Sequence, residues 1–230
     1  MKNSFDDYAG SYEEILKKQL SFFCNDVSYF AEYKVNIVKS GISGSPGKIL
    51  EYGCGIGRNL PFLRDAFPSA ELYACDISKE SLDVAAKNNQ SVHFFLCEAE
   101  KSIYEHAFDL VFIANVYHHI PPISRRVTTR EIKKMLADKG ILFVFEHNPY
   151  NPVTRYMVKT CPFDSDAVLM SLRKMKKLLE EEEFVIEMAR YTLFFPSFFK
   201  RFSFLEPKIG WIPLGGQYYV KALNRFNTLV

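Results

Sequence analysis

The stretch Ile49-Leu50-Glu51-Tyr52-Gly53-Cys54-Gly55-Ile56-Gly57 decides the fold. A short apolar run ends in three glycines at alternate positions, and a helical pattern opens directly behind them. Glycine lacks a Cβ and tolerates positive φ, so such a backbone can turn sharply and lie close to a ligand. Dinucleotide-binding folds place G-x-G-x-x-G at the same strand-to-helix turn. Here the third glycine comes one residue early, and Arg58 stands where that pattern has glycine. An acid, Glu51, two residues ahead of Gly53 is the second departure.

Outward from this turn the chain alternates. Apolar runs at 48–52, 71–75, 92–96, 108–115 and 140–146 read as strands, and helical patterns at about 57–66, 78–88 and 125–137 lie between them. Such alternation predicts parallel strands with crossover helices, a doubly wound α/β sheet. The tail changes character: a charged helix at 171–183, a strand at 184–194, an aromatic loop and a last strand at 217–222. Joining those two strands without a helix predicts an antiparallel edge. Upstream, Ile15, Leu16, Leu20, Phe23, Val27, Phe30, Val35 and Val38 recur at helical spacing, and the Gly/Ser/Pro run at 41–47 breaks the pattern. The expected division is a helical cap over 1–44 and a core over 45–230, with insertions at about 149–170 and 195–214 on the substrate side.

Composition bounds the partners. Against 29 Lys and Arg stand 27 Asp and Glu, and a net charge of +2 gives no field that implies nucleic acid. Cysteines 24, 54, 75, 97 and 161 contain no C-x-x-C pair, so the sequence predicts no metal site and reduced thiols in a cytoplasm. The N-terminus has no apolar signal core, and no uncharged stretch is long enough to span a bilayer.

The order E-Y-G-C-G-I-G, C-D-I, C-E-A-E and F-D-L-V-F-I-A-N-V-Y-H-H-I resembles the class I S-adenosylmethionine-dependent methyltransferases, strongly over residues 45–148 and more weakly through the tail. The resemblance implies a Rossmann-like sheet of seven strands, mostly parallel with the last antiparallel, and S-adenosylmethionine as cofactor. It implies cofactor contacts at Glu51, Gly53, Cys54, Gly55, Asp76, Ile77, Glu98, Ala99 and Asn115. Glu51 would receive the ammonium of the methionine part, and Asp76 the ribose hydroxyls with Ile77 against the adenine. Asp76 also reads as a cap for the helix behind Ser78, and Glu98 as an exposed strand-end acid.

The strand end Asn115-Val116-Tyr117-His118-His119-Ile120 is similar to the small-molecule members of that class, which carry a His before an apolar residue here. His119 matches it as an architectural residue, which leaves His118 as the freer imidazole and a candidate general base. Glu146, His147 and Asn148 leave the fifth strand on the same rim. Glu146 and His147 join His118 as catalytic candidates, with helix capping or pairing to Arg155 as the plainer alternative. Tyr12, His119, Asn148 and Arg155 are the candidate substrate contacts, Tyr12 lying in an opening segment that would fold over the cofactor.

The stretches E-H-N-P-Y-N-P-V-T-R, C-P-F-D-S-D-A-V-L-M and P-L-G-G-Q-Y-Y-V resemble a bacterial group of methyltransferases that accompanies glycan biosynthesis, which implies a sugar or glycan precursor as acceptor. The aromatic run at 194–202 and Trp211, beside Lys200, Arg201 and Lys208, suits either a cover for the pocket or contact with a membrane surface. Two other classes compete with a methyltransferase: a nicotinamide-dependent oxidoreductase on a similar sheet, and a binding protein without chemistry.

Overall fold

Apolar runs bounded by turn residues become the strands of one seven-stranded sheet. The computed structural model describes residues 28–97, 101–195 and 197–225. The strands are β1 (Lys48–Tyr52), β2 (Glu71–Asp76), β3 (Val92–Leu96), β4 (Phe108–Ala114), β5 (Leu136–His147), β6 (Phe184–Thr192) and β7 (Gln217–Asn224), in the order β3-β2-β1-β4-β5-β7-β6. β1 to β5 pair in parallel, and β7 runs antiparallel to both β5 and β6.

Successive side chains of a strand point to opposite faces, and both faces here are covered, so the central strands are apolar throughout. Ile49, Leu110, Phe112, Phe143 and Phe145 pack with α1 (Ser28–Gly41), α2 (Leu60–Ala66) and α3 (Lys79–Asn88). Leu50, Val111, Ile113, Leu142 and Val144 pack on the other side with α4 (Arg125–Met135) and α6 (Leu172–Glu181). Helix starts are set by local chemistry. The Ser78 hydroxyl accepts from Ser81 N at 3.1 Å ahead of α3, and the Asn151 side chain accepts from Thr154 N at 3.0 Å ahead of α5 (Pro152–Thr160).

Two expectations are corrected, while the last two strands form the expected antiparallel edge, with β7 lying between β5 and β6. Its connection from β6 is helical in part, with a 3-10 stretch at Ser197–Leu205 and α7 at Glu206–Ile209. The first crossover helix begins at Leu60 rather than 57, because Gly57 has φ +80°. Of the expected N-terminal cap only α1 is described, and its Val35 and Val38 share the cluster that contains Ile49. Tyr12, Glu98 and Ala99 lie outside the described residues.

Strand order reverses between β1's neighbours β2 and β4. In open α/β sheets ligands bind outside the carboxyl ends of the strands at such a point.

Candidate functional site

At the carboxyl end of β1 the chain turns through Gly53, with φ +72°, and its N–H and that of Cys54 donate to Cys75 O at 2.8 and 3.0 Å. A Cβ on Gly53 would sit 2.5 Å from Val116 Cγ2, so the turn touches the end of β4 where only a hydrogen fits. Gly55, with φ +53°, is different: a Cβ there would meet nothing within 4 Å. The turn presents open backbone at that position.

Glu51 lies beneath it, 2% exposed. Asn59 Nδ2 donates to its Oε1 at 2.6 Å, while Oε2 is buried with no hydrogen-bond partner. A buried acceptor left unmade costs about 1–3 kcal/mol, so an orphaned carboxylate oxygen at a cleft is a place prepared for a donor. Burial pushes the Glu51 carboxyl up to about 8, against the opposing pull of Asn59 and Lys34. An ammonium group would fill the vacant bond and restore the charge.

Asp76 closes β2 and braces the turn, accepting from Gly55 N at 2.8 Å through Oδ2 and from Ser78 N at 2.9 Å through Oδ1. Burial raises its pKa and those backbone donors oppose the rise. Ile77 beside it is an exposed apolar side chain. Cys54 is buried and takes part through its backbone. Asn115 sits at φ +60° on the end of β4, donates its N–H to Phe145 O at 2.9 Å, and accepts from Gln217 Nε2 at 3.1 Å. Asn115 therefore joins the ends of β4, β5 and β7.

His118, expected to be the freer imidazole, is the more buried of the two. His118 is 2% exposed and its Nδ1 lies 2.7 Å from Glu146 Oε2, while the second Glu146 oxygen accepts from Tyr117 N at 2.7 Å. Burial works against charge on His118, but Glu146 and Asp164 outweigh it and raise its pKa to about 9. Glu146 is held below the usual carboxylate range, with His118 overcoming the effect of burial. Neither group is open to solvent, and Glu146 neither caps α5 nor pairs with Arg155. His119 keeps more exposure, and its Nε2 lies 3.3 Å from Asp164 Oδ1.

His147 ends β5 with its ring 5.1 Å from that of His118, centroid to centroid. Burial, then the neighbouring His118, lower its pKa to about 4, which leaves a neutral imidazole. Asn148 is a brace: its Nδ2 donates to Pro213 O at 3.1 Å and Gly215 O at 2.8 Å, and its Oδ1 accepts from Tyr150 N. Arg155 is exposed on α5.

Sequence reasoning missed three groups. Lys34, on α1, is buried. Burial and then Arg58 lower its ammonium to about 8, while Glu51 and Glu146 act to raise it. Gln217 Oε1 is buried without a partner. Asp164, in a 3-10 turn at Pro162–Asp164, reaches the two histidines from 45 residues further along. Its carboxyl is held far below its ordinary range by both imidazoles, against the effect of burial. No sequence spacing could have joined these groups, although helical periodicity on α1 makes Lys34 an odd charge among Ala31, Val35 and Val38. The aromatic connection places Phe204 and Trp211 in solvent, at 67% and 72% exposure.

The seven-stranded sheet, with its antiparallel last strands, has the fold of S-adenosylmethionine-dependent methyltransferases among solved structures. Residues 49–140 match the family described as a methyltransferase domain. The chain is 26% identical over 148 residues to a demethylmenaquinone methyltransferase of Thermotoga maritima, a match that covers 64% of this chain and 61% of that protein. It thus spans less than two thirds of that relative. Among solved structures it resembles a SAM-dependent methyltransferase from Archaeoglobus fulgidus, at TM-score 0.70 and 14% identity over 93% of this chain and 99% of that one. It also resembles the Haemonchus contortus phosphoethanolamine N-methyltransferase 2 in complex with S-adenosylmethionine, at TM-score 0.64 and 15% identity over 98% of this chain and 61% of that one.

S-adenosylmethionine suits the residues present. Its α-ammonium answers the orphaned Glu51 oxygen, and the space over Gly55 leaves the turn open to a ligand.

Proposed function

We propose that this chain methylates a small-molecule acceptor held above the carboxyl ends of β4 and β5. The observation that carries the reading is the buried, unpartnered Glu51 oxygen at the foot of the glycine turn. S-adenosylmethionine supplies an electrophilic methyl group on a sulfonium, and the transfer is an in-line displacement. The chain's part is then mainly to position the acceptor and exclude water. Glu51 and the 53–57 turn fix the methyl donor, with Asp76 and Ile77 on its nucleoside side.

On the acceptor side the lining groups are Asn115, Gln217 and His147, of which His147 offers a neutral nitrogen to the acceptor's proton and Gln217 an unused carbonyl. These are hydrogen-bonding groups suited to a hydroxyl or amine. The relatives support an acceptor of this size: their names specify demethylmenaquinone in one case and phosphoethanolamine in another. Sugar and glycan precursors are the acceptor class to assay first, and a cytoplasmic location accords with their supply. No helix among the described residues is long and apolar enough to cross a membrane.

The test is transfer of a labelled methyl group to nucleotide sugars, free glycans and small phenols. Label in the low-mass fraction supports the reading. Label only in protein or nucleic acid overturns the small-molecule assignment.

A further inference from the structure

The turn after β4 and the loop after α5 meet in an arrangement that methyl transfer alone does not require. His118 and His119 stack with ring centroids 4.1 Å apart. Each turns its Nδ1 toward an outer carboxylate: Glu146 Oε2 at 2.7 Å for His118 and Asp166 Oδ1 at 3.6 Å for His119. Each turns its Nε2 toward one inner oxygen, Asp164 Oδ1, at 3.6 Å for His118 and 3.3 Å for His119. One ligand atom from each of His118, His119 and Asp164 thus lies within 4.8 Å of the others.

A separation of 3.6 Å is too long for a hydrogen bond. It is close to the spacing of donors that share one ion, since atoms about 2.0–2.1 Å from zinc lie roughly 3–3.5 Å apart. The outer carboxylate of His118 completes the pattern. A histidine that ligates through Nε2 gives its Nδ1–H to a carboxylate, which fixes the tautomer and aims the lone pair. Glu146 holds that place for His118 and is itself fixed by Tyr117 N at 2.7 Å.

The two segments are also locked to one another. Val168 N donates to His118 O at 2.8 Å. The buried Arg125 guanidinium donates to Ile120 O at 2.9 Å and Val168 O at 2.6 Å, one carbonyl from each segment. The convergence of the two imidazoles on Asp164 is therefore built into the fold.

We propose that His118 Nε2, His119 Nε2 and Asp164 Oδ1 form a binding site for one divalent transition-metal ion, with Glu146 as its outer carboxylate. Nitrogen and carboxylate donors together suit zinc and its neighbours rather than calcium or magnesium. The two carboxylates, buried Glu146 and half-buried Asp164, balance a dication with neutral imidazoles. Three protein ligands leave a coordination position open, as catalytic rather than structural zinc sites do. Resting on the methyl-transfer reading, that position holds the oxygen or nitrogen of the acceptor.

The test uses the full chain after dialysis against a chelator. Zinc is titrated by calorimetry, and cobalt by its visible absorption, which reports coordination directly. The expected result is one ion per chain at micromolar affinity or tighter, weakened about tenfold or more by His119→Gln and by Asp164→Asn. Melting curves of both variants establish that they fold. Absence of saturable one-to-one binding overturns the site, and so does one-to-one binding that Asp164→Asn leaves undiminished. S-adenosylhomocysteine is titrated into the same preparation. Its binding without zinc binding removes the metal site alone, whereas zinc binding without it upholds the site and removes the methyl-transfer reading.

Discussion

Glu51 sets cofactor affinity against stability. Its carboxyl, ordinarily at 4.5, is raised by burial to about 8. Below pH 4.5 the folded and unfolded chains both hold this proton. As pH rises the unfolded chain ionises first, so the stability tied to Glu51 is lost up to about 8 and then levels. Glu51→Gln keeps an acceptor for Asn59 and has no such loss. Its melting temperature should exceed that of the unsubstituted chain by a margin that widens from pH 4.5 to 8. The same variant should bind S-adenosylhomocysteine about 10- to 100-fold more weakly in calorimetry, since a charged hydrogen bond is worth about 1.5–3 kcal/mol. The glycines divide in the same way. Gly53→Ala forces a Cβ to 2.5 Å from Val116 at φ +72° and should cost folding stability, about 1–3 kcal/mol in denaturant. Gly55→Ala has open space and should lose cofactor affinity with a smaller fall in stability. Glu51 and the glycines were legible because their meaning is local spacing. Asp164, Lys34 and Gln217 were not, since their partners come from other elements. The burial of His118 was not legible either, because sequence does not say which ring faces Glu146.

At the scale of elements, the strands were legible wherever apolar runs met turn residues, and the bounds of β1 and β3 match residue for residue. The order of the last two strands was not read from the sequence, although composition carries the signal. β6 places Glu187 and Met188 in solvent, as an edge strand does, while β7 buries Tyr218, Val220, Ala222 and Asn224 between two neighbours. Arg125 on α4 ties part of the insertion at 149–170 to the turn after β4. Arg125→Ala removes the bonds to Ile120 O and Val168 O and leaves two part-buried carbonyls without this donor. It should cost about 2–4 kcal/mol. Hydrogen exchange should show the loss locally, with the Val168 amide, bonded to His118 O, exchanging faster by a larger factor than amides of β1. Equal acceleration everywhere would mean that Arg125 supports the fold generally rather than this segment.

At the scale of the whole molecule, the sheet's reversal between β2 and β4 would serve a dinucleotide as well as a methyl donor, so the two must be told apart by charge. A pyrophosphate brings two negative charges to the glycine turn, where the buried Glu51 already stands with an unsatisfied oxygen. With its carboxyl raised to about 8, Glu51 stays protonated beside an anion and gives a pyrophosphate no cation to pair with, whereas the ammonium of S-adenosylmethionine pairs with its ionised form. Where the dinucleotide pattern has a third glycine for close packing of helix on strand, this chain has Arg58. Ligand that binds only the folded chain stabilises it by about 2.7 kcal/mol at one hundred times its Kd. For a chain of this size each kcal/mol raises the melting temperature by about 2–4 °C. Saturating S-adenosylhomocysteine should therefore raise it by roughly 5–10 °C. NAD at the same concentration should leave it within about 1 °C, because the binding term vanishes well below Kd. A shift with NAD and none with S-adenosylhomocysteine would assign the turn to a dinucleotide.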